Sequence, residues 1–260
     1  MKYLLITILA TGACFLAGVC FVSLFTKKRR ILRGILAGLV LLILVGTGYL
    51  MIYARSGPDA QKAMKGSSNV HVHEIEEGYF FDGPGEETAL IFYPGAKVET
   101  EAYAPLLLDL AEEGIDTFLI DMPMRMAFFD ADAAGDVMED YTYDQWILGG
   151  HSLGGTVAAS YAADHPDEVD GLVLLAAYPT QEVSVPLLSI YGTEDGCLDA
   201  QVYEEKKELW PEEATEVVIE GGNHAQFGDY GEQRGDEEAT ISPEEQIEQT
   251  TNAILSRSWE

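Results

Sequence analysis

The chain has 260 residues, with 15 Lys and Arg against 44 Asp and Glu, a formal net charge of −29. The charge is divided unevenly: residues 1–65 hold nine basic side chains and one acidic one, residues 66–260 six basic and 43 acidic. So acidic a C-terminal part repels phosphate backbones, which excludes nucleic-acid binding, and 47% hydrophobic residues with 26 glycines exclude a disordered acidic tail.

Tyr3 to Phe25 is an uncharged run of 23 residues, and Gly34 to Tyr53 another of 20. At about 1.5 Å per helical residue, each reaches across the roughly 30 Å hydrocarbon core of a bilayer. Between them, residues 26–33 carry Lys27, Lys28, Arg29, Arg30 and Arg33. The expectation is a two-helix membrane hairpin over residues 1–53, its basic loop cytoplasmic and both ends outside. A cleaved signal peptide followed by one anchor is the competing reading. Residues 54–69, polar and rich in small side chains, read as a linker.

From residue 70 to 260 the pattern alternates α and β. Val70–Ile75 and the following Gly78–Gly85 suggest a hairpin at a sheet edge. Thr88–Tyr93, Thr117–Ile120, Gln145–Gly149, Gly171–Ala177, Pro186–Tyr191 and Glu216–Ile219 read as strands. Glu101–Glu113, Thr156–Ala163, Gln201–Leu209 and Pro243–Leu255 read as helices. Nearly all-apolar strands alternating with helices predict a mostly parallel sheet with helices on both faces. Only Pro179–Val185 separate two successive strands, so no cap domain is expected. Ligands in such sheets bind at the carboxyl ends of the strands.

At one such end, Gly150-His151-Ser152-Leu153-Gly154 is a G-x-S-x-G pentapeptide between strand and helix. A serine lifted on so tight a turn needs neighbours without side chains two residues to either side. A nucleophilic serine needs a base, and the base an orienting carboxylate. His151 lies within the turn; His71 and His73, two apart on an edge strand, suit a metal better but lack a third ligand. His224, directly after the last strand, is the candidate base. After the preceding strand stands Asp195, the candidate acid, with Glu194 as its rival. The order Ser152, Asp195, His224 is that of a serine hydrolase on a parallel sheet.

From about Val72 to Arg257 the chain resembles the α/β-hydrolase superfamily, and within it the small bacterial fold-5 branch related to dienelactone hydrolases. The resemblance rests on Tyr93–Thr100, Met122–Phe129, the segment 150–155, Gly192–Asp195 and Gly221–Gly231. It implies Ser152 as nucleophile, Asp195 as acid, His224 as base, and an oxyanion hole made by the N–H groups of Ala96 and Leu153. The cysteine nucleophile of dienelactone hydrolases is serine here, so their substrate is not carried over.

The expected function is a membrane-anchored serine hydrolase with its catalytic domain outside the cytoplasm. It would cleave a small-molecule acyl ester through an acyl-enzyme and require neither cofactor nor metal. An acyltransferase with the same triad, or a silent binding module on this fold, remains open. Met124 and Phe128 are candidates for an acyl pocket. Lys97, Arg125 and Arg234, three of the six basic residues after position 65, are candidate contacts for an anionic substrate.

Overall fold

The computed structural model describes residues 28–50 and 52–259. Two compact units divide the chain between Ile52 and Tyr53. In the first, helix α1 spans Lys28–Leu50, and Ile35, Leu39, Leu41, Leu42 and Ile43 on it are exposed. Among the described residues no helix is long and apolar enough to cross a membrane. The first uncharged run lies outside the described residues, as do the side chains at both ends of α1. The loop expected over residues 26–33 is corrected in part: Lys28–Arg33 already belong to the helix. Lys, Arg, Ile and Leu are good or tolerable helix formers and no breaker intervenes.

The second unit begins with the expected linker, which is a packed strap. Ala54 forms a parallel bridge with Val98. A one-and-a-half-turn helix α2 (Pro58–Ala63) then buries Ala60 and Ala63. Pro58 starts α2 at a position where its missing N–H is not needed. The small side chains that suggest a linker are also what lets the strap lie close.

Eight strands form one sheet in the order β1-β2-β4-β3-β5-β6-β7-β8. They are β1 His71–Glu74, β2 Gly78–Asp82, β3 Thr88–Tyr93, β4 Asp116–Ile120, β5 Gln145–His151, β6 Gly171–Leu175, β7 Leu187–Gly192 and β8 Ala214–Ile219. β1 and β2 pair antiparallel at one edge, as the hairpin pattern predicts; β3 to β8 run parallel. The remaining helices are α3 Ala104–Glu112, α4 Ala133–Asp140, α5 Leu153–Asp164, α6 Ala200–Lys206 and α7 Pro243–Leu255. β6 joins β7 through residues 176–186 with neither helix nor strand between them.

The apolar strands serve two cores at once. Along β3, Leu90 and Phe92 join Leu106, Leu107 and Leu110 of α3 and Ile254 of α7 on one face. Ala89, Ile91 and Tyr93 join Val137 of α4 and Val157 and Ala158 of α5 on the other. The same alternation divides Leu172 and Leu174 from Val173 and Leu175 on β6. Side chains of successive residues point to opposite faces, so a strand buried twice shows no polar alternation. The chain leaves β3 for β4 on one side and returns to β5 on the other. The C-terminal ends of β3 and β5 therefore border the crevice where this topology places ligands.

Candidate active site

Ser152 sits between the last residue of β5 and the first of α5, with φ 53° and ψ −122°. That left-handed backbone is strained for a residue with a Cβ, costing on the order of 1–3 kcal/mol. It persists because the surroundings hold it: Ser152 N donates to Leu175 O at 2.9 Å, and Thr156 N donates to Ser152 O at 3.1 Å. The two glycines have the cause anticipated from the spacing. A Cβ on Gly150 would lie 2.7 Å from the backbone of Gly154 and Gly155, and one on Gly154 would collide with the carbonyl oxygens of Tyr93 and Pro94. The 12-residue α5 starts at Leu153, so its unpaired N–H groups and positive dipole end lie at the serine. Strain gathers around the same end of the sheet. Among the described residues, the non-glycine ones with positive φ are Lys97 after β3, Met124 and Arg125 after β4, Ser152 after β5 and Ala176 after β6.

Asp195 and His224 form a hydrogen-bonded pair. His224 Nδ1 lies 2.9 Å from Asp195 Oδ2 and 3.1 Å from Oδ1. Both side chains are almost wholly buried. The N–H groups of Cys197 and Leu198 donate to Asp195 Oδ1 at 2.9 and 2.8 Å, which fixes the carboxylate's orientation. Glu194, the rival acid, instead accepts from the Thr193 hydroxyl. A second carboxylate, which no sequence motif marks, clamps the two loops together. Asp236 accepts from Gly196 N at 3.0 Å, His224 N at 3.2 Å and Ala225 N at 2.8 Å. Gln246 of α7 adds a two-way bond to the backbone of Asn223 at 2.9 and 2.8 Å.

Among the described residues, Asp195, Cys197 and His224 are the group whose donor atoms could approach one metal ion. Their bonding suits a dyad better. Asp195 already accepts two backbone N–H groups as well as the imidazole, and Cys197 Sγ accepts from Gln233 Nε2 at 3.3 Å. Burial, with Asp236 and Asp195 nearby, raises the pKa of the Cys197 thiol.

His151 connects the serine turn to the rest of the site. Its ring lies 4.5 Å, centre to centre, from that of His224, which brings the candidate base against the turn that carries Ser152. Its Nδ1 is 2.8 Å from the hydroxyl of Tyr103, and that hydroxyl accepts from Gly95 N at 3.0 Å. The hydroxyl thus bridges Gly95 and His151, while His151 Nε2 is buried with no hydrogen-bond partner among the described residues. Burial first, and then the neighbouring His224, hold the His151 pKa well below the ordinary histidine value, so it is neutral. Gly95 belongs to the loop that carries Ala96. The backbone N–H groups of Ala96 and Leu153, the expected oxyanion donors, make no hydrogen bond among the described residues.

Around this centre the candidate substrate contacts separate. Lys97 is half-buried beside Ala96, and its N–H donates to Arg125 O at 2.9 Å. The guanidinium of Arg125 lies 3.5 Å above the ring of Tyr53, a partner that no spacing or motif foretells. Met124 is half-buried, whereas Phe128 is 51% exposed with its ring 4.5 Å from that of Phe129. Arg234 is exposed. His71 and His73 are exposed on β1, with His73 3.6 Å from Asp82, far in sequence and sheet order from Ser152.

A model of the alpha/beta hydrolase family matches residues 89–248. A curated protein of Mycobacterium phage D29, named "Putative non-heme haloperoxidase", is 31% identical over 109 residues; the match spans 38% of this chain and only 39% of that protein. Among solved structures, the dienelactone hydrolase of Anabaena variabilis aligns with a TM-score of 0.53 at 17% identity, over 72% of this chain and 98% of its own. Est1E of Butyrivibrio proteoclasticus gives 0.53 at 14% identity, over 72% and 98%. A structure described as a membrane phospholipase A and bacterial virulence factor gives 0.57 at 15%, over 86% and 98%. At these identities the likeness is one of fold. With the family model covering more than half of its length, the chain belongs to the alpha/beta hydrolase family.

Proposed function

We propose that this hydrolase is a serine esterase, cleaving a carboxylic ester or related acyl bond through a Ser152-His224-Asp195 triad. The observation that carries the proposal is the buried His224–Asp195 pair held against the turn that bears Ser152. Asp195, accepting at Nδ1, keeps the His224 proton there and leaves Nε2 as the basic nitrogen. His224 takes the Ser152 proton as the hydroxyl oxygen attacks the acyl carbon. The N–H groups of Ala96 and Leu153 receive the negative oxygen, and each donor in such a hole is worth about 3–4 kcal/mol in the transition state. The imidazolium then protonates the leaving alcohol, and the acyl-Ser152 ester yields to water by the reverse sequence. The solved structures named as an esterase and a phospholipase support ester chemistry in kind, without fixing the substrate.

The membrane anchor belongs to the same proposal and rests on the two uncharged runs flanking a basic segment. A chromogenic ester panel tests the enzyme: the protein should turn over at least one ester, and Ser152→Ala should lower kcat on the order of 10⁴-fold or more. Turnover that survives Ser152→Ala contradicts the triad. Alkaline carbonate extraction should leave the chain in the membrane fraction; release into the supernatant contradicts the anchor.

A further inference from the structure

We infer that the rim formed by Tyr53, Arg55, Lys97, Arg125, Phe128 and Phe129 is a lipid-contacting surface, through which the site takes an ester whose acyl chain lies in the bilayer. The inference rests on the esterase reading and assigns it a substrate class.

The surface is unusual for this unit in both its apolar and its charged character. Among the described residues from Tyr53 onward, Phe128, Phe129 and Val218 are the large hydrophobic side chains left exposed. Two of the three stand side by side on one short loop, their rings 4.5 Å apart. That loop, two 3-10 turns at Pro123–Arg125 and Ala127–Phe129, is strained at Met124 and Arg125, whose φ values are 55° and 58°.

From Tyr53 onward the chain holds nine basic residues against 44 acidic ones, so cations are scarce. Arg125 and Arg55 nevertheless both lie over the Tyr53 ring, at 3.5 and 5.4 Å. Lys97 joins them through two backbone bonds, its N–H to Arg125 O at 2.9 Å and its carbonyl accepting from Ala54 N at 2.8 Å. An acidic body would be repelled by an anionic bilayer everywhere except where its cations gather. Aromatic rings beside Arg and Lys are the side chains that partition into the headgroup region.

Two further facts join this rim to chemistry and to the tether. Lys97 directly follows Ala96, so the surface continues into the oxyanion loop. Tyr53 is the first residue of the catalytic unit and the last of the second uncharged run, so the chain enters the unit at this rim. A soluble ester would need none of this; an ester held at the bilayer needs the site mouth at the interface.

The test uses the full chain reconstituted into vesicles of phosphatidylcholine and phosphatidylglycerol with brominated acyl chains. Phe129→Trp should add an emission component that the bromines quench, measured against the parent protein with its native tryptophans. The double variant Phe128→Ser/Phe129→Ser should lower the ratio of turnover of a vesicle-borne long-chain ester to that of a soluble short-chain ester by about tenfold or more. If the emission added by Phe129→Trp is not quenched, the inference is overturned, and an unchanged ratio overturns it as well. Emission that shifts with protein concentration in the absence of vesicles marks a second copy as the occupant and overturns it too. Covalent labelling of Ser152 by a fluorophosphonate is run alongside. Labelling without quenching sinks only the lipid surface; quenching without labelling sinks the esterase and with it the ester substrate, and leaves only a lipid-binding surface.

Discussion

The hydroxyl of Tyr103 is the most consequential single group outside the proposed triad. It accepts from Gly95, next to Ala96, and lies 2.8 Å from His151 Nδ1 on the serine turn, all buried. Tyr103→Phe keeps the ring and leaves the Gly95 N–H unsatisfied, at a cost of about 1–3 kcal/mol in stability. If the hydroxyl positions the Ala96 N–H, kcat should fall roughly tenfold while KM changes little, because the lost interaction is made only in the transition state. Steady-state kinetics on one good ester decides: a rise in KM at constant kcat assigns Tyr103 to substrate binding instead. The sequence does not disclose this role. Tyr103 lies within a helical pattern, and nothing in spacing separates a core tyrosine from one whose hydroxyl bridges two loops. Ser152, His224 and Asp195 stand out as candidates because each follows a strand and each residue type has few substitutes in the proposed chemistry.

The elements that carry the site are held by devices of differing visibility. The strands announce themselves by unbroken apolar runs, and β3 and α7 fall on the residues expected, Thr88–Tyr93 and Pro243–Leu255. Helix α4 escapes a reading by periodicity because Ala133–Asp140 buries only Ala133, Ala134 and Val137, with Met138 half-buried beside them, a short stripe of mostly small side chains. The segment 54–69, whose first half packs as a strap, reads as a linker for a related reason, since small residues serve both close packing and flexibility. Asp236 stands in an acidic stretch where one carboxylate resembles the next. By accepting from Gly196, His224 and Ala225 it binds the loop after β7 to the loop after β8. Asp236→Ala removes the acceptor of these three N–H groups, and of Glu237 N, at once. It should lower the unfolding midpoint and reduce kcat more than tenfold, and Asp236→Asn should recover part of both by restoring an acceptor. Equal melting temperatures for wild type and Asp236→Ala would remove the clamp from the account.

For the molecule as a whole, the net charge of −29 hides an acidic body from Tyr53 onward in which self-repulsion opposes compactness. Added salt screens that repulsion, so the melting temperature should rise from low to high ionic strength, and a fall would contradict it. Asp109 on α3 is a local instance. Burial, with Glu112, Glu113 and Glu248 nearby, lifts its pKa from 3.8 to about 6. The folded chain therefore holds this proton more tightly than the unfolded one, and stability is lost as pH rises from about 4 through 6. Asp109→Asn should raise the melting temperature at about pH 8 and leave it unchanged well below about pH 4. A gain of equal size at both pH values would mean that the charge is not the cause.

Whether this acidic scaffold is a working enzyme turns on Ser152. The most direct measurement is mass spectrometry of the full chain after reaction with a fluorophosphonate, with the adduct mapped to its peptide. A single adduct on Ser152, lost in Ser152→Ala and strongly slowed in His224→Ala, is the predicted result. A folded protein that takes up no label, or carries it on another residue, would contradict the triad.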